Sequence, residues 1–226
     1  MRKYWWLVRQ QVRLFLRKLV LSIRGVFFVP TSAALKSIRY RQLPSPVHWE
    51  KVAGDREVQV EIGSGHGEVL LANDAARSIR IGYEIKSRFF TLTFRKIRRR
   101  DDVFVYQGSG YESLKLHYTK ESVDIVYILF PDPWHKKRHS KRRPITSTFF
   151  QDVAQKLKKN GKILVVTDWV EYADFIANEA KNVTSIYEVT VKPYSAPEFG
   201  LPITHYHQKW IRHGRTFTAI LLQKKR

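Results

Sequence analysis

The sequence predicts an α/β fold: a mostly parallel seven-stranded sheet with helices on both faces, an antiparallel terminal strand, and a basic helical arm in front of it. Three observations predict this. From Val58 onward, short apolar runs alternate with amphipathic ones, the rhythm that builds a parallel sheet. The last two apolar runs follow one another with no helical run between them, so they pair antiparallel. Before Glu50 there is no acid at all, and residues 1–49 carry ten Lys/Arg.

The arm comes first. Trp5, Val8, Val12, Phe15, Leu19 and Ile23 recur at steps of three and four, with Arg9, Arg13 and Arg17 as a neighbouring stripe; this is helical periodicity. Arginines and lysines interrupt every apolar run, so no stretch of roughly 18 clean residues suggests a membrane span or a signal peptide. A basic amphipathic helix fits an arm packed on the domain or on RNA, and membrane contact is the weaker alternative. "LPSPVHW" (43–49) reads as the linker that ends the arm, giving an arm over 1–43 and a domain over 44–226.

The domain then proceeds strand by strand. "VQVEIG" (58–63) is a strand that runs into a glycine turn opening a helix, and "IRIGYEI" (79–85) is the second strand. "RFFTLTFRKIRRR" (88–100) is a helix with a basic end, followed by a third strand, "VFVYQG" (103–108). "VDIVYILF" (123–130) is almost wholly apolar, as a central parallel strand buried on both faces requires. "STFFQDVAQKLKKNG" (147–161) reads as an amphipathic helix stopped by Asn160-Gly161, and "KILVVTD" (162–168) as a fifth strand. A helix in "VEYADFIANEA" and the strands in "IYEVTV" and "TFTAILLQ" complete the chain.

Composition narrows the partners. Lys+Arg is 41 against 20 Asp+Glu in 226 residues, a net charge of +21, which calls for a polyanion. With 13% aromatic residues the chain packs a core. There is no cysteine, so disulfides and thiolate metal sites are excluded and a cytoplasmic setting is expected.

Ligands of open α/β sheets bind beyond the carboxyl ends of the strands. The polar residues expected there are Glu61, Glu84, Ser109, Asp132 and Asp168. "EIGSGHGE" spaces Gly63, Gly65 and Gly67 two apart, whereas dinucleotide folds prefer G-x-G-x-x-G. A carboxylate before the loop is awkward beside a pyrophosphate and suits a cationic ligand. S-adenosylmethionine has an ammonium, a sulfonium and a ribose diol, so Glu61 fits the cation and Glu84 the diol. The plainer reading is a tight turn beside a solvated acid, which explains each piece but not their registry.

The fourth strand delivers "FPDPWHKKRHSKRR" (130–143): two prolines and Asp132, then six Lys/Arg and two His in the last nine residues. With "VEIGSGHGE", "IGYEIK", "TDWVEYADF" and "PITHYHQKWIRHG", this motif resembles the bacterial tRNA (guanine-N7)-methyltransferases, which modify guanine 46 of the variable loop. The resemblance covers most of residues 58–226 and implies a Rossmann-like methyltransferase that uses S-adenosylmethionine and acts on tRNA. It implies cofactor contacts at Glu61, Gly63, Gly65, Gly67, Glu84, Ser109 and Asp132, with Asp132 the catalytic acid. Substrate contacts are implied at Lys136, Asp168, Thr204, His205, Tyr206 and His207.

Three departures accompany it. Ser64 stands where an aromatic residue or Cys is usual, Ser109 where Asp or Asn is, and His207 where the family has Glu. Lys136, Lys137, Arg138, Lys141, Arg142 and Arg143 are expected to bind phosphates, and Trp134 either stacks on a base or packs. The histidines form no convincing metal set, so no metal is expected, nor an obligate protein partner. The competing function is an RNA-binding Rossmann-like module with weak or lost catalysis.

Overall fold

The structure is a computed structural model that describes residues 46–72, 77–97, 99–134 and 137–226. The predicted arm and residues 43–45 of the linker lie outside the described residues. Seven strands form one sheet: β1 (Glu57–Ile62), β2 (Ser78–Glu84), β3 (Val103–Gln107), β4 (Val123–Leu129), β5 (Leu157–Thr167), β6 (Tyr187–Pro193) and β7 (Thr218–Lys224). Their order across the sheet is β3-β2-β1-β4-β5-β7-β6. β1 to β5 pair parallel, and β7 enters antiparallel between β5 and β6. The predicted fold is the observed one. The order reverses between β1 and β4, and the crevice beyond their carboxyl ends is where such sheets hold ligands.

Burial on both faces explains the near-continuous apolar strands. One core layer packs Val58, Val60, Ile79, Ile81, Val126 and Ile128 against four helices. These are α1 (Trp49–Ala53), α4 (Gly110–Leu116), α5 (Ser147–Ala154) and α6 (Val170–Lys181). The opposite face carries two smaller clusters. Leu70 of α2 (Glu68–Leu71) and Ile97 of α3 (Ser87–Ile97) cover Val103 and Val105. Tyr127, Leu129, Leu164 and Val166 pack with Tyr194, Phe217 and Trp210 of α7 (His205–Ile211).

Three expectations are corrected. The end of the linker is structural: Val47 and Trp49 are fully buried, with Trp49 edge-on to Phe104 at 5.2 Å. The helix expected through residue 161 stops at Ala154. Leu157 already pairs with Val123, and Lys158 Nζ reaches Asp124 Oδ2 at 2.8 Å, so tertiary pairing outweighs local helix propensity. Asn160, at φ 60°, then belongs to an irregular strand opening where the β4–β5 register shifts. Finally, a helix does separate the last two strands. Thr204 caps α7 by accepting the His207 N–H at 3.2 Å, a local device that hydropathy alone does not reveal.

Candidate active site

The glycine turn after β1 is built by backbone geometry. Gly63, Gly65 and Gly67 all have left-handed φ, at 79°, 51° and 73°. A Cβ on Gly67 would sit 2.4 Å from Thr93 Cγ2 on α3, so only glycine lets the turn dock there. At Gly63 and Gly65 a Cβ would meet nothing within 4 Å, which leaves open room above the turn. Thr93 Oγ1 donates to the Gly65 carbonyl at 3.1 Å, and the Gly65 N–H donates to Glu84 Oε2 at 2.9 Å. Glu84 Oε1 accepts the Lys86 N–H at 2.8 Å. The acid at the tip of β2 therefore anchors the turn, and each carboxylate oxygen has a second lone pair for a hydroxyl.

Glu61 lies beneath this turn, only 5% exposed, and its Oε2 has no hydrogen-bond partner among the described residues. Ser64 Oγ is likewise buried and unpartnered. Burial pushes the Glu61 carboxyl well above the ordinary carboxylate range. Arg80 pulls it back, while Glu68 and Glu84 add to the rise. Its ionised form, disfavoured by burial, gains from a cation. The residues thus fit an ammonium- and diol-bearing cofactor: an orphaned carboxylate oxygen below open glycines, with a second carboxylate on the next strand. Ser109 follows β3 and caps α4, its hydroxyl accepting from the Glu112 N–H at 3.4 Å. Its oxygen therefore already serves the helix end.

Beyond β4 the chain turns sharply. Phe130 and Trp134 both adopt left-handed φ, 54° and 47°, a conformation that costs on the order of 1–3 kcal/mol per non-glycine residue. Between them Asp132 is exposed, its Oδ1 accepting the Trp134 N–H at 3.1 Å. Registry puts Glu61 opposite Gly82 of β2 and Tyr127 of β4. The tips of β2 and β4 are hence about 10 Å apart, two strand spacings, and share one edge of the sheet.

The C-terminal segment folds back over this edge. Asp168 follows β5 and pairs with the half-buried Arg215, which lies over Trp210 at 3.6 Å. The Tyr206 hydroxyl donates to Asp168 at 3.3 Å while its ring stacks on Phe130 at 4.8 Å. Burial first, then the Asp168 charge, pushes that phenol up to about 12. The His205 N–H donates to Glu68 Oε1 at 2.9 Å, and its ring lies 5.7 Å from His66 in the glycine turn. Thr204, His205 and Tyr206 are thereby tied to both the glycine turn and the Asp132 loop.

Of the other expected substrate residues, one is not described and one is buried. Lys136 lies outside the described residues. His207 is 5% exposed, packed 4.5 Å from the Phe217 ring and 5.8 Å from Phe130, and burial lowers its pKa. The histidine in the family's Glu position is thus a neutral ring behind Phe130 and not a surface contact, because the α7 cap turns it into the core. Arg143, expected to meet phosphate, faces inward over Tyr172 and Phe175, at 5.0 Å from each ring.

Sequence reasoning missed Glu68, Phe130 and Arg215, and gave Arg143 a different role. The first two stand inside the quoted motifs and were findable there, whereas nothing local marks Arg215. Among the described residues, no group of three His, Cys, Asp or Glu could hold a metal, and no helix is long and apolar enough to cross a membrane.

Known proteins resemble this one. A family model described as "Putative methyltransferase" matches residues 55–220. The tRNA (guanine-N(7)-)-methyltransferase of Thermus thermophilus is 36% identical over 162 residues, 70% of this chain and 51% of that protein. Its counterpart in Aquifex aeolicus is 29% identical over 191 residues, 83% of this chain and 61% of that protein. The one in Legionella pneumophila (strain Corby) is 31% identical over 189 residues, 80% of this chain and 84% of that protein. The chain thus spans about half the length of the Thermus relative and most of the Legionella one. Among solved structures, the 16S rRNA methyltransferase KamB superposes with a TM-score of 0.56 at 11% identity, covering 79% of this chain and 93% of that one. An antibiotic-related methyltransferase gives 0.53 at 18% identity, covering 77% and 92%. At such identities the likeness concerns the fold.

Proposed function

The chain belongs to the tRNA (guanine-N7)-methyltransferase family, and from that premise we propose that it methylates N7 of guanine in tRNA, at position 46 of the variable loop. The observation that carries the reading is the Glu61 carboxylate: buried, unpartnered at Oε2, under an open glycine turn and one strand from the Asp132 loop. When bound, S-adenosylmethionine supplies an electrophilic methyl group on a sulfonium. Glu61 neutralises the cofactor's cationic end, Gly63 and Gly65 leave its backbone room, Glu84 accepts from the ribose hydroxyls, and Ser109 borders the adenine.

Guanine N7 already presents a lone pair in the ring plane and carries no proton, so this chain needs no general base. Its task is alignment, and negative potential where the purine becomes cationic. Asp132 meets both needs by accepting from guanine N1–H and N2–H. Tyr206 and Phe130 form an aromatic wall beside it, with Asp168 holding Tyr206 in place. Basic residues of the 137–142 turn grip the phosphates, which fixes position without reading sequence. Residues 1–43, with ten Lys/Arg and no acid, add to that footprint, and residues 44–226 make up the methyltransferase domain.

The test is direct. Incubating the protein with labelled S-adenosylmethionine and an unmodified tRNA transcript, followed by borohydride–aniline cleavage, should cut the product at guanine 46. Incorporation elsewhere would refute the position. No incorporation, with tRNA still bound, would favour the RNA-binding module.

A further inference from the structure

Arg143 ends the basic run, and its composition alone groups it with the phosphate ligands. Its surroundings separate it from them. The guanidinium lies over the rings of Tyr172 and Phe175, 5.0 Å from each, and Nε donates to the Pro133 carbonyl at 3.0 Å. Both rings belong to α6, which packs on the sheet. Arg143 is half-buried, whereas Lys141 and Arg142 are exposed. Arg142 lies 5.2 Å over Trp134, on the outer side of the same loop.

Pro133 sits between Asp132 and Trp134, inside the segment bounded by the left-handed residues Phe130 and Trp134. Such a conformation persists only where its surroundings over-determine it. On one side Phe130 is fixed by its N–H to the Val166 carbonyl at 2.7 Å. On the other, among the described residues, the bond from Arg143 to Pro133 ties the loop to a helix. A planar guanidinium can stack on two rings and still donate from its edge, which an ammonium cannot do.

We propose that Arg143 is a positioning residue: by bridging the α6 rings and the Pro133 carbonyl, it fixes the strained turn that aims the Asp132 carboxylate. This rests on the reading of Asp132 as the group that orients guanine. A phosphate ligand and a positioning residue leave opposite signatures. Loss of a phosphate contact weakens tRNA binding and lowers its salt slope by about one, and lysine restores it. Loss of positioning lowers the rate at saturating tRNA, and lysine does not restore it.

The experiment compares wild type with Arg143→Ala, Arg143→Lys, Arg142→Ala and Phe175→Leu. It reads the single-turnover rate at saturating tRNA, tRNA affinity against salt, and hydrogen exchange at the Trp134 amide. Calorimetric stoichiometry for S-adenosylmethionine counts the folded molecules. The expected result for Arg143→Ala and Arg143→Lys alike is a rate about 10- to 100-fold lower, with an unchanged salt slope and faster Trp134 exchange. Phe175→Leu, which keeps the arginine and removes one ring, should move rate and exchange the same way by less. Arg142→Ala should instead lower affinity and slope. A normal rate with a reduced slope in Arg143→Ala, or full recovery in Arg143→Lys, overturns the proposal. If wild type methylates no tRNA, the functional reading fails, and unchanged Trp134 exchange in Arg143→Ala would still separately refute the role in the loop.

Discussion

Glu61 holds a carboxyl group in the core beside the carboxylates of Glu68 and Glu84, with the Arg80 charge partly offsetting them. Because burial raises its folded-state pKa above the ordinary 4.5, folding favours the protonated form. Stability is therefore lost as pH rises from 4.5 through that raised value, and the penalty is complete above it. Glu61→Gln is expected to raise Tm at neutral pH without cofactor while weakening S-adenosylmethionine binding. Wild-type affinity should strengthen as pH climbs through the same window, because the ionised form meets the ammonium, and the variant should lose that slope. Calorimetry across pH checks both. Asp132 has a different task. Asp132→Asn should lower the methyl-transfer rate about 100-fold with little change in cofactor affinity. Since no proton moves, the wild-type rate should stay flat over roughly pH 6–9; stopped-flow rates across that range would reveal a titrating step.

At the scale of elements, the glycine turn and α3 are fitted to each other. Thr93 is fully buried, it holds the Gly65 carbonyl, and its methyl would collide with any Cβ at residue 67. Gly67→Ala should destabilise the protein by about 1–3 kcal/mol from overpacking, with the left-handed φ adding to it, and should impair cofactor binding. Urea unfolding with and without S-adenosylmethionine measures both. Element type was legible for all seven strands because alternation and apolar runs report burial directly. The helices were less so: α1, α4 and α7 were not read, and α5 was carried too far. Residues 157–161 carry a respectable helical pattern, yet strand pairing with Val123 and the Lys158–Asp124 ion pair recruit them into β5. α7 is seven residues long and held by a cap and by Glu68, so its periodicity spans too few turns to stand out.

Across the whole molecule, charge sets how the partner is gripped. A net charge of +21 with an exposed basic turn beside the crevice predicts binding driven by counterion release. If six or more phosphates are neutralised, tRNA affinity should fall about 1,000-fold between 50 and 200 mM salt. Filter binding over a salt series measures the slope, and a shallow one would mean that shape or stacking carries the affinity. Deleting residues 1–43 should reduce that slope while cofactor binding to the domain persists.

The amino-acid sequence alone determined the sheet, its antiparallel closure, the glycine turn and the acids at the strand tips. Those properties follow from hydropathy period, backbone freedom and charge, all written in neighbouring residues. Only the tertiary structure decided that His207 turns into the core, that Arg143 faces rings instead of solvent, and that Arg215 and Tyr206 hold Asp168. Each of these depends on which distant side chain a residue meets, 47 positions away for Arg215 and Asp168. No local pattern encodes that distance; packing does.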